Sequence, residues 1–438
     1  MIIFPIIFLL LLSTFAKIYF RTWLAPGCLF SVIWLLYIIM SVIFAPDLPI
    51  SSISLWVIVF SIFSLITGSM LVFPINKRLI PSKIDSDLEI VNRILYNILI
   101  YFSVFSLIGV LLIFSNGIRR YSLSGIFEGL WKLGYFYSYA RYKEKWVPPL
   151  ELRILTYFLY PSALIGGYIF EYFKNWKKFI TLFPILIMVL FSLIVAARAG
   201  LYLVISIWIS GFISYKLLKY GEKYKFMTLK NIFLFIIIMV ILIFIYVFLQ
   251  NIRIGNNLIS TSSLYDIYQN SKVAIWGSLS AFSIWFENAN LFSFAGGSYT
   301  FAGIFDILGI ESREQGLYSE PIYFSSGKFT NIYTIFRALI DDYSIIGMFV
   351  FWFIVGMLST YAYVKTCKGK IIWSIVLSAF YSMTFFSNLY SIFIFNSILF
   401  SWISIIFLFY FLVYWKSIKR FIFVSFYRFN MERRRSFR

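Results

Sequence analysis

Runs of about 18–22 apolar residues recur from one end of this chain to the other, each long enough to cross a roughly 30 Å hydrocarbon layer as a helix. That recurrence leaves few folds open, because a backbone in lipid must satisfy its own hydrogen bonds and spans of this length do so as helices. The runs lie near residues 2–16, 27–45, 53–75, 94–115, 154–173, 179–197, 199–215, 231–249, 344–364, 371–387 and 393–415. The expectation is an all-α polytopic integral membrane protein with about 11 (10–12) transmembrane helices. No basic residue precedes the first run, which therefore reads as a membrane helix and not as a cleaved signal. At 61% hydrophobic and 13% charged, 438 residues could not hide their apolar surface in water.

Charge then orients the spans. Of the 38 lysines and arginines, 25 fall in six short intervals beginning at Lys17, Asn76, Lys174, Lys216, Lys365 and Lys416. Short basic loops mark the cytoplasmic side, which puts the C-terminus in the cytoplasm. The basic tail, 416–438, then reads as an anchor to anionic headgroups and not as a nucleic-acid arm, despite a net charge of +20. Cys28 and Cys367, one in a span and one at a cytoplasmic loop, form neither a disulfide nor a metal site.

Two extracytoplasmic segments interrupt the spans. The first, 116–153, lies within the N-terminal helices (1–250) and mixes Arg119, Arg120 and other bases with Tyr121, Trp131 and Tyr135–Tyr137. It reads either as an interfacial aromatic belt or as a cationic surface for phosphate and sugar faces. The second, 251–343, is a large polar loop ahead of the C-terminal helices, 344–415. Its stretch Val273–Phe286 is apolar enough to lie on or dip into the membrane. In its last part, Thr330, Asn331, Thr334, Arg337, Asp341 and Asp342 share one helical arc, and Ile332, Ile335, Phe336 and Leu339 the opposite one. That spacing predicts an amphipathic interfacial helix leading into the next span, with Arg337 and Asp341 as an i, i+4 pair.

Arg198 is the one charge in an apolar interval from 179 to 215, too long for a single span. The interval reads as a helical hairpin turning at Arg198-Ala199-Gly200, with the arginine either snorkelling to headgroups or marking a functional site. The chain has no histidine, which removes imidazole bases, His-ligated zinc and haem ligation from consideration. Proton chemistry is left to Asp, Glu, Tyr or Lys, and anion binding to Arg, Lys or backbone N–H groups.

The stretch Thr330-Asn331-Ile332-Tyr333-Thr334, followed by Arg337 and Asp342-Tyr343-Ser344-Ile345-Ile346-Gly347, resembles the Wzy-type O-antigen polymerases, the oligosaccharide repeat-unit polymerase family. Ala197-Arg198-Ala199-Gly200 is similar to the family's arginine hairpin, whereas Ser344 and Tyr343 stand where the family more often has Gly and Phe. The resemblance implies a glycosyltransferase of the bacterial inner membrane, with its site facing the periplasm. Its substrates are undecaprenyl-pyrophosphate-linked oligosaccharides, one as donor and one as acceptor, and its product is O-antigen or a similar surface polysaccharide. No cofactor or metal is implied, and a chain-length regulator is expected as a partner. In that reaction Arg198 and Arg337 would contact pyrophosphate, with Arg253 as a third choice and Arg119 and Arg120 as a weaker pair. Asp342, or Asp341, would be the base, the counter-reading being that Asp342 orients an arginine or caps the following span. The rival readings are a flippase or transporter of the same lipid-linked glycan, which tends to have short loops, and an O-antigen ligase, in which a loop histidine is expected.

Overall fold

The computed structural model describes residues 2–75, 78–81, 88–144, 148–196, 198–224, 228, 244–249, 252, 261–310 and 318–412. It is 77% helical, and six helices among the described residues are long and apolar enough to cross a membrane. These are α1 (Ile3–Phe20), α2 (Pro26–Phe44), α3 (Ser52–Val72), α4 (Leu88–Arg120), α8 (Arg198–Tyr220) and α11 (Ile335–Cys367). Between them lie α5 (Ile126–Lys143), α6 (Leu159–Ile169), α7 (Phe183–Val195), α9 (Thr261–Glu287) and α10 (Ala302–Ile307); α12 (Ile371–Phe386) and α13 (Asn396–Leu412) follow. The chain is thus an all-α membrane protein. Helices α7, α12 and α13 are apolar but shorter, and most of the expected span at 231–249 lies outside the described residues, as does the basic tail.

Small residues draw the helices together. Helices α3 and α11 run parallel, and a Cβ at Gly68 would fall on the carbonyl of Phe353, while one at Gly356 would fall on that of Leu65. The Ser69 hydroxyl donates across the same seam to the Gly356 carbonyl at 3.2 Å. Lipid tails are as apolar as leucine, so close backbone packing of this kind, and not hydrophobic exclusion, holds such a pair. An aromatic core extends the seam: Phe30 and Trp34 of α2 meet Trp352 (4.6 Å) and Phe336 (4.9 Å) of α11.

The two ends of the bundle carry the two classes of loop that charge separates. At one end Arg21, Leu79 and Glu222 converge: Glu222 exchanges backbone and side-chain bonds with Leu79, Arg21 lies 3.7 Å from its carboxylate, and Gly221 sits beside the Cys367 carbonyl. All of these belong to the basic intervals. At the other end Asp47 pairs with Lys272 at 2.6 Å, and the Ser387 carbonyl accepts from the Ile335 N–H at 3.0 Å.

Within the expected external segment 116–153, α4 continues to Arg120 and α5 occupies Ile126–Lys143. Two other expectations need correction. The apolar part of α9 does not turn to lipid. Leu279, Ala281 and Phe282 are fully buried, and α9 is bound across the ends of α2 and α3 by Tyr37–Ser278, Ser280–Pro49 and Ser54–Ser283 contacts. Helix α11 starts at Ile335, not at Thr330, which is instead paired with Ile322 in a two-stranded hairpin. Nor is its first part a half-exposed interfacial helix: Ile335 to Ile340 are all buried, Arg337 included.

Candidate functional site

Arg337 sits in the first turn of α11 beside Phe336, which anchors that turn in the aromatic core. Its side chain is only 9% exposed and stands in a box of rings. The guanidinium carbon lies 3.7 Å from the ring centre of Tyr318, 4.0 Å from that of Tyr333 and 5.0 Å from that of Trp285. Stacking of this kind is worth roughly 0.5–2 kcal/mol per ring and suits a planar, weakly hydrated cation. Its Nε is 3.4 Å from Asp341 Oδ2, one turn further on. Its Nη1 is buried and finds no acceptor among the described residues. A buried charged donor left open in this way costs free energy, so an acceptor that reaches this position is bound favourably.

The Asn-Ile-Tyr element explains how the box is held. Asn331 Nδ2 donates to the Tyr318 carbonyl at 3.3 Å, and the Tyr333 hydroxyl donates to the Glu320 carbonyl at 2.8 Å. Two motif side chains therefore fix the segment that carries Tyr318, and Tyr299 backs its ring in a parallel stack at 5.4 Å. Burial, with the nearby Asp341 charge adding to it, pushes the Tyr318 phenol well above its ordinary value, so it stays protonated at neutral pH.

Asp342 plays a different part. It is fully buried, and its two carboxylate oxygens accept the N–H groups of Tyr299 (3.0 Å) and Thr300 (2.6 Å). Just beyond it α11 breaks at Ser344, whose φ of 65° and ψ of 172° lie in a region that L side chains rarely adopt. The break frees backbone groups that the segment 291–296 takes up. Ala295 and Gly296 donate to the carbonyls of Asp341 and Asp342, and the Ile345 N–H donates to the Leu291 carbonyl. Asp342 is thus the clamp that docks this loop, and Asp341 is the carboxylate beside the open arginine.

Helix α7 ends at a left-handed Ala196 and α8 opens at Arg198, so the two apolar helices expected here form, but Arg198, Ala199 and Gly200 are the first turn of α8 and not the bend between them. Arg198 Nη1 donates to the Tyr246 hydroxyl at 2.7 Å, and its guanidinium carbon lies 4.8 Å from the centre of that ring. One turn on, the Tyr202 hydroxyl donates to the Phe385 carbonyl at 2.5 Å, and Ser387 in the same stretch receives both Trp34 Nε1 and the Ile335 N–H. The helices that carry Arg198 and Arg337 are therefore both bonded to the end of α12, through Tyr202 and Ile335, while each arginine keeps its own partners. Arg119 and Arg120 lie elsewhere, in the last turn of α4, where Arg120 pairs with Glu144 at 3.4 Å. Arg253 lies outside the described residues.

Sequence reasoning missed Tyr318 and Trp285, which no local pattern distinguishes from other loop aromatics. It also missed Arg141, whose Nη2 donates to the Val195 carbonyl at 3.1 Å at the same hairpin tip as Arg198. Among the described residues no group of three His, Cys, Asp or Glu side chains is arranged to hold a metal ion. Neither a family profile, nor a curated protein, nor a solved structure matches the chain.

Proposed function

We propose that this protein polymerises undecaprenyl-pyrophosphate-linked oligosaccharide repeat units into O-antigen or a similar surface polysaccharide, on the periplasmic face of the bacterial inner membrane. The observation that carries the reading is the open Nη1 of Arg337, buried in its aromatic box with Asp341 alongside. A hydroxyl of the acceptor's terminal sugar attacks the donor's anomeric carbon, its C–O bond to pyrophosphate breaks, and the lipid pyrophosphate leaves with the electron pair. Arg337 donates to the leaving oxygens, and a pre-positioned donor of this type is worth about 10²–10³-fold in rate. Asp341 takes the proton of the attacking hydroxyl, a contribution of roughly 10²–10⁴-fold. Asp342 holds the loop and does not touch substrate. Arg198, whose helix is bonded through Tyr202 to the same end of α12, is proposed as a second cation for pyrophosphate.

The test is the glycan ladder of a strain lacking this chain. The reading predicts surface lipid capped by a single repeat unit, with the ladder restored by the wild-type chain and not by Arg337→Ala. Loss of every repeat unit from the surface, with lipid-linked units held on the cytoplasmic side, would point to a flippase, and an unchanged ladder would refute both.

A further inference from the structure

The segment 291–310 has one charge in twenty residues, Asp306, and that carboxylate accepts from Asn396 Nδ2 at 2.6 Å. Around it large apolar side chains stand clear of the protein: Phe292 is 75% exposed, Phe294 77%, Ile307 60%, Leu308 65% and Ile310 62%. A surface of this kind next to water would be costly, and its placement identifies what covers it. At one end the segment is stitched to the break in α11 by the Ile345–Leu291 bond, immediately before the outward-facing Ile346 and Val350. At the other end α10 packs on the start of α13, where Gly303 lies against Leu399 and Phe301 stacks on Phe393, next to the outward-facing Phe400, Ile403 and Phe407. The exposed apolar patch is thus continuous, at both ends, with the outward apolar stripes of two helices in the bundle.

We propose that residues 291–310 seat in the lipid leaflet at this end of the bundle, as an apolar skirt between the outer ends of α11 and α13. The patch lies level with the break in α11 at Ser344 and with the first turn of α13, and the proposal seats it at the boundary between headgroups and acyl chains, where Phe and Leu side chains partition favourably. Because the same segment is bonded to the carbonyls of Asp341 and Asp342, seating it fixes the depth of the Arg337 box at the headgroup level. The proposal rests on the bundle lying in a bilayer and not on the reaction assigned above, so it stands or falls separately.

The experiment places single cysteines at Phe294→Cys and Leu308→Cys, with Ser325→Cys at the tip of the hairpin as an aqueous control. Cys28 and Cys367 are buried, so an environment-sensitive fluorophore reports the added thiol. The full-length protein is reconstituted in phospholipid nanodiscs and titrated with aqueous iodide and with lipids bearing a nitroxide high on the acyl chain. The proposal predicts several-fold stronger quenching by the lipid nitroxide at 294 and 308, and the reverse at 325. Iodide quenching at 294 and 308 equal to that at 325 would overturn it. Protection from both quenchers would also overturn it, since a protein surface would then cover the patch.

Discussion

Replacing Asp342 with alanine separates a structural carboxylate from a catalytic one. Its two oxygens accept the N–H groups of Tyr299 and Thr300 at 3.0 and 2.6 Å, in a position with no solvent access. Hydrogen bonds to a charged acceptor contribute about 1.5–3 kcal/mol each, and loss of this one leaves two donors unsatisfied. The three backbone bonds between 291–296 and 341–345 remain, so the loss falls on the docking of residues 297–301 and not on the whole bundle. We expect Asp342→Ala to cost about 3–5 kcal/mol there, which is about a 10²–10⁴-fold loss of exchange protection at the amides of Tyr299 and Thr300. Hydrogen–deuterium exchange with mass spectrometry on protein in nanodiscs reads those amides directly. Asp342→Asn, which keeps one acceptor oxygen, should lose roughly half as much free energy. Unchanged protection at 299 and 300 in Asp342→Ala would refute the clamp and return Asp342 to the list of candidate bases.

Three other outcomes follow from the geometry. Ser344→Gly removes a backbone strain of about 1–3 kcal/mol at the cost of about 0.5–1 kcal/mol in chain entropy, so thermal unfolding in detergent should shift upward. Gly356→Val places a side chain on the Leu65 carbonyl and should separate α3 from α11, seen as loss of folded, monodisperse protein on size-exclusion chromatography, whereas Val350→Ala on the outward face should leave it intact. Asp341→Asn should abolish polymer formation while leaving the exchange protection of Tyr299 and Thr300 at the wild-type level, the reverse of the pattern expected for Asp342→Asn.

Helices with a plain apolar period were legible from the sequence: α1, α2 and α3 begin and end within a few residues of the runs that predict them. The hairpin before Arg198 was legible for a different reason, since an apolar stretch twice the length of a span has to turn. Residues 330–343 were harder. The arc that put Thr330 and Arg337 on one helical face assumed a helix throughout, but Thr330 pairs with Ile322 across the hairpin, a contact no local period encodes. The same holds for the apolar face of α9, which matched lipid and matched α2 and α3 equally well; hydroxyl bonds from Tyr37, Ser54 and Ser280 decide between them. The Arg337–Asp341 pair follows from an i, i+4 spacing, yet the ring box around it comes from residues 19 and 52 positions upstream, Tyr318 and Trp285. The division of labour between Asp341 and Asp342 follows from the roughly 100° between adjacent helical positions, which sends one carboxylate to Arg337 and the other to Tyr299 and Thr300.

The most direct test of the central claim is elongation by the purified protein in proteoliposomes supplied with an undecaprenyl-pyrophosphate-linked repeat unit. The account predicts lipid-linked dimers and longer chains together with stoichiometric release of undecaprenyl pyrophosphate, and a rate about 10²–10³-fold lower for Arg337→Lys, which keeps the charge but loses the open Nη1. A variant that elongates at the wild-type rate, or a wild-type protein that moves the lipid-linked unit across the bilayer without joining two of them, would contradict it.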